Sequence, residues 1–180
     1  MSERLIREAL RAEFDAFAAA LSCVSTTRPM TTKLTHLNFG TNYAISTSQI
    51  TPLRLRSAEG HHLRALQSFR PLDDARKRFS HLEQQSYFYE CSIDGNHPHE
   101  LIAFHWDREP VGIAGRHEPH IHIGRATLSP GSAFSISNFH KLHIPSGYIR
   151  FPSVIRFLIE ELGVEPIRPN WDEILANVLD

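Results

Sequence analysis

The segment His117–Gly124, HEPHIHIG, places three histidines within six residues. If it is a strand, its side chains alternate between two faces. His120 and His122 then share one face. His117 falls with Ile121 and Ile123 on the other. Two residues of rise separate His120 from His122 by about 6.6 Å. That span brackets one metal ion or one reacting group. The isoleucines are the natural core contacts, so the paired histidines look toward solvent or a cleft.

Other residues are near enough in the sequence to join them. In the preceding apolar segment, Glu100–Asp107, alternation puts Ile102, Phe104 and Trp106 on one face and Leu101, Ala103, His105 and Asp107 on the other. If the two segments share a sheet, His105 joins His120 and His122. His143, in KLHIPSG, would be a fourth member after a short return across the sheet. His140 lies three residues before it. The chain holds twelve histidines, and eight fall from His97 to His143. The clustering, more than the total, marks this third of the chain.

Three chemistries fit such a cluster. Neutral imidazoles bind zinc and other divalent transition metals, and a catalytic zinc often keeps three protein ligands and one open position. His120, His122 and either His105 or His143 would form that set, with Asp107 as a further ligand or an imidazole partner. Alternatively, two imidazoles that titrate near neutrality act as general base and general acid on an RNA 2′-hydroxyl and its leaving oxygen. That chemistry needs no cofactor but does need a cation for the developing charge. Arg125, Arg116 and Lys141 are the nearest in sequence, and Tyr148 is a further donor. The third reading is a non-enzymatic protein-interaction face. Asp107 apart, these roles rest on histidine and its cationic neighbours. His97 and His99 in a hairpin loop, and His61 and His62 beside Gly60, read as solvated.

The elements that must hold these residues are legible in outline. Ile6, Leu10, Phe14, Phe17 and Leu21 recur at helical steps, which predicts an N-terminal amphipathic helix. KLTHLNF and YAISTSQI flank GTN, a turn signal, and read as a hairpin. PLRLR adds a short strand. PLDDARKRFSHLEQQ reads as a helix, because Leu72, Ala75, Phe79 and Leu82 share a face and Pro71 suits a first turn. SYFYECSID, ELIAFHWD and PHIHIGRATL read as an antiparallel meander. SPGSAFSISNFHKLHIPSG reads as loop. Two helices close the chain: FPSVIRFLIEELG, with Pro152 near its start and Gly163 as its stop, and NWDEILANVLD, opening at Asn170. The expected fold is α+β, a mostly antiparallel sheet with an N-terminal helix and two C-terminal helices. One domain spans 1–180, with a weak seam near 58–71.

Bulk properties narrow the function. The chain has 180 residues, 41% hydrophobic and 22% charged, which is a globular composition. The net charge of −1 provides no global field for nucleic acid. Arg54, Arg56, Arg64, Arg70, Arg76, Lys77 and Arg78 would make a local phosphate-binding patch only if the fold gathered them. Cys23 and Cys91 are the only cysteines, too few for a disulfide framework or a thiolate zinc site, which fits a cytoplasmic protein. No apolar window is long enough to span a membrane.

The His-x-His pattern resembles the cupin metal motif, but no acid follows His122 in GRATLS. It also resembles the histidine-triad hydrolases, but Gly124 occupies the third histidine position. A looser resemblance covers residues 86–175. A tyrosine-rich strand, then FHW, then PHIHI, is similar to small bacterial toxin proteins of the TumE type. His105 matches the histidine of HW, and His120 and His122 match the pair. The resemblance implies a toxin–antitoxin or defence setting, with RNA as substrate and a cognate antitoxin-like protein as partner.

Overall fold

The computed structural model describes residues 3–36, 40–47, 51–74, 76, 78–93, 100–108, 118–124 and 143–179. The first helix, α1, spans Glu3–Leu21 and buries Ile6, Leu10, Phe17, Ala20 and Leu21. The helical spacing of these apolar side chains lets one face pack on the sheet. Its outer face carries i,i+4 ion pairs, Arg4–Glu8 at 2.8 Å and Arg11–Asp15 at 3.2 Å. They are exposed, and each stabilises the helix by only about 0.3–0.5 kcal/mol.

The strands follow as β1 (Met30–His36), β2 (Gly40–Ser46), β3 (Leu53–Arg54), β4 (His62–Asp73), β5 (Phe79–Ser92), β6 (Glu100–Asp107), β7 (His120–Ile123) and β8 (His143–Pro145). Two helices end the chain, α2 (Phe151–Glu160) and α3 (Trp171–Leu179). The fold is α+β. All eight strands join one sheet in the order β1-β2-β4-β5-β6-β7-β8, with β3 alongside β4. Each pairing is antiparallel.

The helices cover one face of the sheet. Leu63 and Ala65 of β4, Tyr87, Tyr89 and Cys91 of β5, and Phe104 of β6 are buried there. Phe17 of α1 stacks on Phe151 of α2 at 4.0 Å between ring centroids. Phe151 reaches Tyr89 at 5.3 Å, so one aromatic column ties both helices to β5. The Tyr89 hydroxyl is fully enclosed and accepts a 2.6 Å hydrogen bond from Gln67, which satisfies a buried polar group. Burial pushes the Cys91 thiol up to about 12, with the Glu90 charge adding to it, so Cys91 is a core thiol. Pro152 lies in the first turn of α2, and Gly163 beyond its end adopts φ 64°, a conformation that suits a residue without Cβ.

Three local expectations change. Among the described residues of 71–85 none is helical. They close the long β4–β5 hairpin, in which Pro71 pairs with Leu82 and Leu72 with His81. Asp74 explains the difference. Its carboxylate accepts the amides of Arg76 and Arg78 at 2.8 and 2.9 Å and the Arg78 guanidinium at 2.9 Å, so its side chain bonds the backbone of a turn in competition with a helix. Pro71 is tolerated because it lies past Phe69, the last β4 residue paired to β2. The GTN turn signal is also misplaced: Gly40, Thr41 and Asn42 belong to β2, opposite His36, Thr35 and Leu34. Finally, β8 forms inside the segment read as loop.

The Asp74 carboxyl is held below its ordinary value, first by the Arg78 amide and then by the Arg78 side chain. A depressed carboxylate contributes stability above its unfolded pKa of about 3.9 and loses it as pH falls through the folded value. The turn is therefore expected to be intact at pH 5 and to loosen below about pH 4. Hydrogen exchange at the Arg76 and Arg78 amides, corrected for intrinsic pH dependence, measures this. Asp74→Asn should remove the acid transition, and an unchanged profile in that variant would refute the assignment.

Candidate metal centre

The site lies on the sheet face opposite the helices. Antiparallel pairing sets His105 of β6 directly across from His120 of β7, and Ala103 across from His122. On the next strand, His122 is opposite His143. Directly opposed residues belong to the same face, with Cβ atoms about 4.5–5.5 Å apart. The alternate residues Ile121 and Phe104 are also paired, and they pack toward the helix-side core.

Three of the expected residues meet through their side chains. The ring centroids of His105 and His122 are 4.4 Å apart, those of His120 and His122 5.0 Å, and those of His105 and His120 5.7 Å. One nitrogen from each ring lies within 4.8 Å of the others. Zinc–imidazole bonds of about 2.0–2.1 Å in a tetrahedron place nitrogens roughly 3.3 Å apart. To hold one ion the nitrogens would draw together by up to about 1.5 Å. Among the described residues this is the group of histidine, cysteine and acidic side chains able to hold an ion.

The polarity of one imidazole can be assigned. His120 Nδ1 lies 2.9 Å from the carbonyl oxygen of Glu118. A carbonyl only accepts, so Nδ1 carries the hydrogen, and a neutral ring presents its lone pair at Nε2. Metal-binding histidines are commonly oriented in this way by a backbone carbonyl. Phe88 of β5 is the register partner of His105, and its ring packs 4.5 Å from that imidazole. It gives the cluster an apolar wall on the β5 side.

The remaining expectations fall into three groups. His143 occupies the right register position beside His122. Asp107 is exposed at the end of β6 and is not part of the three-histidine group. Tyr148 is on the other side of the sheet, 5.6 Å from Trp106 and 5.4 Å from Tyr87, and donates to Gln84. It is therefore not a donor to this site. Arg125, Arg116, Lys141, His97, His99, His117 and His140 lie outside the described residues.

His61 also differs from the sequence reading, being buried at 1% exposure with Nε2 3.3 Å from Glu59. Three arginines of the stretch considered as a conditional phosphate-binding patch face separate acids. Arg56 meets Glu165 at 3.2 Å, Arg64 meets Glu90 at 3.9 Å, and Arg78 meets Asp74. Sequence reasoning missed Phe88 and the Glu118 carbonyl. Strand parity across the β5–β6 pair would have found Phe88. A backbone acceptor has no side-chain signature.

Gly124 shows why a third alternating histidine is absent. Its amide donates to Leu101 O at 2.8 Å. A Cβ at this position would overlap the Glu100 carbonyl, which is backbone and has little room to shift. No family model, no curated protein and no solved structure matches the chain.

Gly124→Ala is expected to force β7 away from β6. Overpacking of this kind costs about 3 kcal/mol. For a chain of this size that lowers Tm by roughly 6–12 °C. Thermal denaturation followed by circular dichroism checks it. A melting point within about 1 °C of the parent would show that the β6–β7 approach does not constrain the site.

Proposed function

We propose that this protein is a transition-metal protein whose ion is held by His105, His120 and His122. The observation that carries this reading is the convergence of three imidazole nitrogens within 4.8 Å of one another. The His120 tautomer supports it, because the nitrogen free of the Glu118 carbonyl is the one with a lone pair. An all-nitrogen set suits zinc or another divalent ion of the later transition series. Three neutral ligands leave the ion its full positive charge and, in a tetrahedron, one open position. Such a centre lowers the pKa of bound water toward about 7 and polarises an ester or phosphoryl oxygen. The reaction class is therefore metal-assisted hydrolysis. Phe88 limits water on one side of the reacting group.

The same imidazoles carry a second reading, metal-free cleavage of RNA. His120, whose Nδ1 donates to the Glu118 carbonyl so that the neutral ring offers Nε2 as acceptor, would serve as general base, and His122, 5.0 Å away between rings, as general acid. The resemblance to TumE-type toxins favours RNA as substrate and a cognate antitoxin-like protein as partner.

Protein purified without a histidine tag separates these readings. Cobalt titration is expected to saturate at one ion per chain with a tetrahedral visible spectrum. Loss of an outer hydrogen bond alone weakens such sites about 10–100-fold, so replacing any one of the three histidines with alanine should weaken binding by at least about 100-fold. Metal should also leave as the buffer is acidified, since protons and metal compete for the same lone pairs. Absence of stoichiometric uptake would refute the metal centre. Cleavage of labelled RNA that persists in a strong chelator, and disappears in His120→Ala, would establish the acid–base reading instead.

A further inference from the structure

We propose that the metal centre acts on an uncharged ester with a medium-length acyl chain, and that this chain lies in an apolar groove beside the histidines, running from β1 to β5. The inference rests on the metal reading above and names its substrate class. Register puts the groove and the histidines on one face of the sheet. Ser46 is opposite Leu66, Leu66 opposite Phe88, Phe88 opposite His105, and His105 opposite His120. Directly opposed residues share a face, so these five side chains form one row across β2, β4, β5, β6 and β7. The groove occupies the first part of that row. It encloses about 290 Å³ and is lined by Leu34, Ala44, Ser46, Leu66 and Phe88. Ala44 and Ser46 are buried in its floor, whereas Leu34 at its rim is 37% exposed although large and apolar.

Phe88 belongs to both places. Its ring lines the groove and packs 4.5 Å from the His105 imidazole. An occupant of the groove therefore reaches the cluster by passing over a single apolar ring. Neighbouring strands lie about 4.8 Å apart, so Leu66 on β4 is roughly 10 Å from His105 on β6. An octanoyl chain covers that span, and an acetyl group does not. Each methylene moved from water into such a lining strengthens binding roughly fourfold.

The charge pattern selects the occupant. Among the described residues that line the groove, Arg64 is the one that carries charge, and its guanidinium faces the buried Glu90 at 3.9 Å. With that charge opposed, the lining favours an uncharged chain over a phosphate or a nucleic acid. The reaction at the cluster is then hydrolysis of a carboxylic ester. Water bound to the ion loses a proton, and the resulting hydroxide joins the acyl carbon. The bond from that carbon to the alcohol oxygen breaks, the alcohol leaves with a proton, and the acid remains.

Two readouts on the full chain test it. In metal-free protein, the neutral fluorescent probe N-phenyl-1-naphthylamine should bind, and methyl octanoate but not methyl acetate should displace it. In cobalt-loaded protein, octanohydroxamate should shift the visible spectrum at a concentration at least about tenfold lower than acetohydroxamate, the gain expected from burying two or more methylenes. Leu34→Gln, at the exposed rim, and Ala44→Leu, which fills the floor, should each remove most of that advantage. Both should leave cobalt uptake and acetohydroxamate binding unchanged, and circular dichroism checks that the fold is retained. Leu34→Gln keeps the test decisive if the bulkier Ala44→Leu does not fold. Failure of the metal-free protein to bind the probe, equal affinity for the two hydroxamates, or an undiminished advantage in Leu34→Gln would overturn the proposal. Absence of cobalt uptake would refute the metal centre and the ester hydrolysis with it, while probe displacement would still decide the acyl groove. Equal hydroxamate affinities in protein that takes up cobalt would refute the acyl substrate alone.

Discussion

The histidine cluster depends on the antiparallel register of β6 against β7. His105 faces His120, and Ala103 faces His122, because Phe104 is opposite Ile121. A slip of one residue would reverse the faces of β7, burying His120 and His122 and exposing Ile121 and Ile123. The apolar contacts on the helix side oppose that slip. Gly124 adds a steric constraint, since its backbone lies close against Glu100 while its amide bonds Leu101. The small residue fixes where β7 meets β6, and that meeting brings the imidazoles together.

The two faces of the sheet divide the labour. On one, α1, α2 and α3 cover Tyr87, Tyr89 and the Phe17–Phe151 stack, and the packing of large rings makes that side rigid. On the other, Ala103 precedes His105 on the same face of β6, and Ser86 and Phe88 of β5 lie beside that face. Anchoring half of each strand's side chains in a core leaves the other half in fixed positions. Chemistry placed on strands in this way is held more closely than chemistry placed on loops. None of the described helices is long and apolar enough to cross a membrane.

Much of this fold could be read from local pattern. The steps from Ile6 to Leu21, the Pro152 and Gly163 signals and the alternation in Tyr87–Ile93 and Glu100–Asp107 identified elements that formed where expected. The failures have a common cause. Leu72, Ala75, Phe79 and Leu82 recur at helical spacing, but Asp74 bonds the backbone of a turn, and partners on β2 and β6 supply ladder hydrogen bonds to the two long strands. His61 was read as solvated because Gly60 suggested a loop surface, whereas the chain folds inward there. Of the cations from Arg54 to Arg78, Arg56, Arg64 and Arg78 face different acids, Glu165, Glu90 and Asp74.

Within the site, the residue sequence by itself determined that His120 and His122 share a face, that Ile121 and Ile123 take the other, and that His105 has the matching parity on its own strand. These follow from the two-residue period of a strand, which needs no knowledge of neighbours. Tertiary structure decided which residues became neighbours. It set His105 beside His120, put Phe88 against His105, turned His120 Nδ1 onto the Glu118 carbonyl, and removed Tyr148 to the far side of the sheet. Apart from the local His120–Glu118 contact, those choices depend on register between strands. Register is settled by summed packing across the whole sheet, with Gly124 permitting the close approach, and no local pattern of residues contains it.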